Sequence, residues 1–108
     1  MTVIVFRSRL KPDAVETGYS DMAQEMFERA QSAPGFISIK SFAADDGERM
    51  SLVYWKDAET LAAWRNDERH RVAQAKGRSQ WYQWYSIEVA EVTRASEFHA
   101  PAQASAGD

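Results

Sequence analysis

Trp64 and His70 stand six residues apart, with the amide of Asn66 and the carboxylate of Asp67 between them. An indole offers a broad apolar wall and one N–H donor, and an imidazole takes up or releases a proton near neutral pH. The chain has two histidines, and His99 lies among Ala, Ser and Gln, so His70 is the one that packed structure would hold. Asn66 adds an amide that can donate to, or accept from, a ligand oxygen. A helix break between Trp64 and His70 would let both face one pocket. Each residue also has a plainer role: Trp64 as core, His70 as a solvated histidine between Arg69 and Arg71, Asn66 as a helix cap.

The elements that must position these residues are readable from periodicity. Thr2 to Leu10 is apolar and β-branched up to Lys11-Pro12-Asp13, a turn and helix-start signal. From Asp13 to Ser32, Val15, Tyr19, Met22, Met26 and Ala30 recur at helical spacing and form one apolar face, which Pro34-Gly35 ends. Phe36 to Ala43 and Arg49 to Trp55 read as strands joined through Asp45-Asp46-Gly47, a hairpin signal. Asp57 caps a short helix containing Leu61 and Trp64. Asn66 or Asp67 recaps a second, running to Lys76 with Gly77 as its stop. Tyr82 to Arg94 is a long last strand.

The order β-α-β-β-α-β, with the second helix broken, predicts a ferredoxin-like α+β sandwich: an antiparallel sheet with its helices on one face. A sheet with one wet face alternates apolar and polar residues. Here Val3 and Val5 oppose Ile4 and Phe6, and Leu52 and Tyr54 oppose Val53 and Trp55, so both faces need cover. The helices suffice for one. A second copy of the sheet is the economical cover for the other, which predicts a homodimer. The domain is expected over residues 1–98, with 99–108 as a disordered tail of small and polar residues.

Composition narrows the function classes. At 108 residues the chain is one domain. A net charge of -3 carries no electrostatic footprint for nucleic acid or an anionic membrane surface. Without cysteine there are no disulfides, thiolate metal sites or Cys nucleophiles. No apolar run approaches the ~20 residues of a membrane span. The chain opens on a strand-like run, so no signal peptide is expected, and the expected setting is cytoplasmic.

Three stretches carry a resemblance. Ile4-Val5-Phe6-Arg7-Ser8-Arg9-Leu10-Lys11-Pro12, Pro34-Gly35-Phe36 and Trp64 through Gly77 resemble the antibiotic biosynthesis monooxygenase family, a branch of the dimeric α+β barrel superfamily. The resemblance spans roughly residues 2 to 94. It implies a dimeric α+β barrel with a cleft between sheet and helices for a small aromatic molecule, phenol-, quinol- or polyketide-like. It also implies a monooxygenase without metal or flavin, in which the ionised substrate passes an electron to O2. On that reading His70, Trp64 and Asn66 are the catalytic candidates: proton acceptor, wall and donor, and partner of a substrate oxygen. Phe6, Tyr54 and Trp84 are the candidate substrate lining, and no metal site is implied.

Two other readings stay open. Haem-degrading members are similar at Trp64, but they take an asparagine in the first strand, where this chain has Phe6, Arg7 and Ser8, and a histidine further along the second helix, where it has Gln74. The third reading is a non-catalytic dimeric ligand-binding module. The absence of carboxylate pairs, phosphate loops and Ser-His-Asp patterns is compatible with this reading and with a cofactor-free oxygenase alike.

Overall fold

A computed structural model describes residues 1–102. Strand β1 (Thr2–Leu10) is followed by helix α1 (Tyr19–Ser32), the hairpin β2 (Phe36–Ala43) and β3 (Arg49–Trp55), helices α2 (Ala58–Arg65) and α3 (Glu68–Lys76), and strand β4 (Tyr82–Glu91). The sheet is antiparallel in the order β2-β3-β1-β4, so β1 and β3 are central and β2 and β4 are edges. This is the expected α+β arrangement, with α2 and α3 as the broken second helix. No helix among the described residues is long and apolar enough to cross a membrane.

Register decides which side chains meet the helices, because directly opposed residues of antiparallel strands point to the same face. Thr2 opposes Trp55 and Glu91, Ile4 opposes Val53 and Val89, and Phe6 opposes Ser51 and Ile87. These rows lie on the helix side, since Trp55 packs on Trp64 of α2. Val3, Val5, Leu52, Tyr54 and Trp84 take the other face, away from the side on which Trp64 of α2 packs. The buried core is small. Ala14, Met22 and Trp81 form one cluster, which Leu10, Tyr19, Met26 and Ala73 extend, while Trp55 is 0% exposed at the far end of the sheet.

Three boundaries differ from the sequence expectation. α1 begins at Tyr19 rather than Asp13. Residues 13–18 instead close a series of turns that ends on Gly18 at φ 100°, a left-handed position suited to glycine, and Val15 is left 65% exposed. Gly77 does not stop α3 in a left-handed conformation. At φ −57° it opens a π-helical turn, Gly77–Trp81, and a Cβ there would lie 2.8 Å from Cε2 of Tyr82. Its value is therefore close approach, not positive φ. β4 ends at Glu91, because β1 begins at Thr2 and the last backbone bond of the ladder runs from Val92 N–H to the Met1 carbonyl.

Beyond Val92 the described chain is irregular and exposed, Phe98 by 84%. Most of the expected tail, residues 103–108, lies outside the described residues.

Candidate active site

The two short helices are aimed by their caps. Asp57 accepts the Thr60 N–H at 2.8 Å, and this bond, more than any other influence, holds its carboxyl below the usual carboxylate range. Asp67, not Asn66, starts α3. It accepts the His70 N–H at 3.1 Å, and both its oxygens meet Arg29 of α1 at 3.2 Å. The His70 bond is the main reason the Asp67 carboxyl also lies low. A second ion pair, Arg69 with Glu25, joins α3 to α1. Asn66 closes α2 through its backbone N–H and is exposed.

Four rings run in series from the sheet to α3. Phe36 meets Trp55 edge-on at 5.7 Å and 84°. Trp55 meets Trp64 at 6.1 Å and 28°, and Trp64 stacks on His70 at 4.4 Å and 19°. His70 Nδ1 lies 3.1 Å from the Trp64 carbonyl oxygen. A carbonyl only accepts, so a neutral His70 carries its hydrogen on Nδ1 and presents the Nε2 lone pair. Gln74 sits 3.4 Å from the same Nδ1, where its amide oxygen serves as acceptor if the amide is turned over. Burial holds the His70 pKa below the ordinary histidine value of 6.5 and outweighs the opposing pull of the Trp64 carbonyl and Asp67. The result is an imidazole that favours its neutral form at neutral pH, with no hydrogen-bond partner at Nε2 among the described residues.

The half-buried residues of α3 are Arg69, which pairs with Glu25 of α1, and His70, Ala73 and Gln74, of which Ala73 packs on the Ala14–Met22–Trp81 cluster. Below the helices the sheet is closed at its two ends and open between them. Trp55 and Ser8 are 0% and 3% exposed, yet Ile4, Phe6 and Val53 between them are only half-buried. On the same face Ile87 and Val89 of β4 are 54% and 51% exposed. The middle of the helix-side face is thus an apolar floor open toward β4. Phe6 belongs to it and packs on Tyr82 and Tyr85, each at 5.6 Å. Burial, reinforced by Tyr19, pushes the Tyr82 phenol up, so it stays protonated.

A second opening, of about 540 Å³, lies on the outer side, among α1, α2 and the start of α3. Arg29, Pro34, Thr60, Trp64 and Asp67 line part of it. Only Trp64 belongs both to this opening and to the ring series.

The structure therefore brings Trp64 and His70 together and places Phe6 on the same side of the sheet. Asn66 stays at the exposed helix junction. Tyr54, opposite Val3, and Trp84, opposite Arg9 and beneath the Arg7 guanidinium at 5.8 Å, lie on the other face of the sheet. Trp55, which joins the ring series, is not among the sequence candidates. The available signal was its parity with Val53 in β3, two residues before the cap at Asp57. Among the described residues no group of three or more His, Asp or Glu is placed to hold a metal ion.

The family model described as antibiotic biosynthesis monooxygenase matches residues 1–76. The uncharacterized protein YqjZ of Bacillus subtilis is 37% identical over 79 residues, covering 73% of this chain and 69% of that protein. Jasmonate monooxygenase of Pyricularia oryzae is 31% identical over 96 residues, or 86% of this chain, which spans only 44% of that longer protein. In fold, the cofactor-independent oxygenase SnoaB of Streptomyces nogalater superposes with a TM-score of 0.73 at 10% identity, covering 87% of this chain and 94% of that one. The Mycobacterium tuberculosis protein Rv0793 superposes with 0.74 at 18% identity, covering 88% and 98%. A match over most of the chain's length, on a sheet and helices that superpose on several solved members, means that this chain belongs to the antibiotic biosynthesis monooxygenase family.

Proposed function

We propose that the protein is a cofactor-independent monooxygenase that oxygenates a small phenol- or quinol-like aromatic held between the sheet and α3. The observation that carries this reading is His70. It is a half-buried imidazole, stacked on Trp64, whose Nδ1 lies against the Trp64 carbonyl and whose pKa burial holds low, and in this reading its Nε2 is the base that meets the substrate.

In this reading Nε2 takes the proton of the substrate's acidic O–H or C–H. The resulting anion passes one electron to O2, giving a substrate radical and superoxide, which join through a new C–O bond as a peroxide. The imidazolium returns its proton to the peroxide. Loss of the proton still carried by the oxygenated carbon, with cleavage of the O–O bond, then leaves one oxygen on the ring as a carbonyl, and the departing hydroxide takes up that proton and leaves as water. The chain's contribution is a proton carrier near its operating pH, the flat wall of Trp64 and an apolar surface from which the bound ring displaces water. Asn66 keeps its proposed contact with a substrate oxygen only if the ligand reaches the helix junction.

The first test is oxygen consumption. Anthrone or a naphthoquinol, with no added metal or flavin and with a chelator present, should be consumed one-for-one with O2. The same Nε2 could ligate iron, so haem is the competing ligand. A Soret band on adding haem, without oxygen uptake on anthrone, would favour the haem-degrading reading. If neither occurs, the protein is a ligand-binding module.

We further propose that the open sheet face pairs with a second copy of the chain. Val3, Val5, Leu52 and Tyr54 are apolar there, with Trp84 toward the edge, and a stable interface of this kind buries well above ~1,000 Å². Light scattering at micromolar concentration should give twice the 12.3 kDa chain mass. Leu52→Glu, which puts a charge at the centre of that face, should give the monomer. A monomeric parent would sink the argument.

A further inference from the structure

Trp55 Nε1 is a buried donor with no hydrogen-bond partner among the described residues, on a side chain that is 0% exposed. Leaving a buried N–H unpaired costs about 1–3 kcal/mol. The bulk of a fully buried indole offsets that cost but gives the donor itself no use. Its surroundings say what would use it. The ring meets Phe36 edge-on and Trp64 stacked, at the closed end of the apolar floor, and Trp64 in turn stacks on His70. α3, which carries His70, has no buried side chain and is tied to α1 by the Arg69–Glu25 and Arg29–Asp67 ion pairs. Shifting the Trp64–His70 stack to admit a ligand disrupts no fully buried side chain of that helix.

We propose that Trp55 Nε1–H donates to a ring oxygen of the bound aromatic, so that Trp55 sets a preference for ligands bearing a carbonyl or phenolic oxygen over their deoxygenated counterparts. This rests on the aromatic-site reading above and adds to it the group that recognises oxygen. A flat hydrocarbon satisfies the walls but leaves the donor unpaired. A ligand oxygen satisfies both, and a site built around a donor discriminates against the analogue that lacks the acceptor. The same bond would hold negative charge on that oxygen once His70 has taken the substrate proton.

The test uses two soluble probes that differ in the ring oxygens, anthraquinone-2-sulfonate and anthracene-2-sulfonate, titrated calorimetrically into the native protein. The quinone should bind about tenfold more tightly, the worth of one hydrogen bond. Trp55→Phe should bind the two alike. If Trp55→Phe does not fold, the four indole N–H signals of the native protein give the answer by NMR. The Trp55 signal should move downfield with the quinone and not with the hydrocarbon. Two results overturn the inference: a preference that survives in Trp55→Phe, or a Trp55 signal that the quinone leaves unmoved. Equal binding of both probes, weakened by Trp64→Ala, would overturn this inference and leave the aromatic site standing. If neither probe binds, both fail.

Discussion

Gly35→Ala is expected to lower the melting temperature by roughly 10–20 °C, the effect of a loss of a few kcal/mol in a domain of this size. Two costs add. Gly35 sits at φ 84°, where a Cβ costs roughly 1–2 kcal/mol. That Cβ would also fall 2.6 Å from Cγ2 of Thr60, with Oγ1 and Cβ of the same side chain closer still, and overpacking of this kind costs typically 1–3 kcal/mol. Neither neighbour has room to yield. The Gly35 carbonyl accepts the Lys56 N–H at 2.7 Å, and Thr60 is fixed in the first turn of α2 by the Asp57 cap. The turn thus sets the position of the helix that carries Trp64. The double variant Gly35→Ala/Thr60→Gly should recover part of the loss, because the collision goes and the strained φ stays. A Gly35→Ala protein that melts within a few degrees of the parent would show that α2 slides cheaply, and that Trp64 is less firmly placed than its contacts suggest.

That turn also shows which parts of the molecule were legible in the sequence. Pro34-Gly35 announces a helix end and a turn, and the spacing of Tyr19, Met22, Met26 and Ala30 announces α1, because both signals are local. The hairpin strands fall where β-branched and aromatic runs meet Asp46-Gly47. What stayed hidden depends on partners far along the chain. That Gly35 answers to Thr60, that Gly77 yields space to Tyr82, and that β4 stops at Glu91 for want of a longer β1 are facts of pairing, not of local preference. The site divides in the same way. Trp64 and His70 were readable as a pair because a helix break separates them by six residues. The face taken by Tyr54 and Trp84 follows from strand register, where a one-residue change reverses every side chain. Trp55 was visible only as one more strand aromatic until its indole nitrogen proved to be without a partner.

His70→Ala is expected to lower kcat/KM for an oxygenated substrate such as anthrone by at least about 100-fold, the usual contribution of a positioned general base. Stability should change by no more than about 1 kcal/mol at pH 7.5, because His70 is only half-buried. Trp64→Phe keeps a wall, and should cost less activity. The pH profile separates a base from a spacer. The His70 pKa is depressed below 6.5 by burial, and its active form is the neutral one. Activity in the parent should therefore rise with pH through an inflection below 6.5, then hold level until the substrate's own ionisation intervenes. That inflection should vanish in His70→Ala. Folding stability carries the same signature. Above about pH 6.5 the imidazole is neutral in both states and contributes no pH dependence. As pH falls below 6.5 the unfolded chain takes up the proton first, so stability drops until pH passes the lower folded pKa. Urea midpoints between pH 7.5 and 5 should show that drop in the parent and less of it in His70→Ala. An unchanged inflection in the variant would assign the titration to the substrate and leave His70 as the ring that holds Trp64 in place. A parent-like rate in His70→Ala would remove the general base from the mechanism altogether.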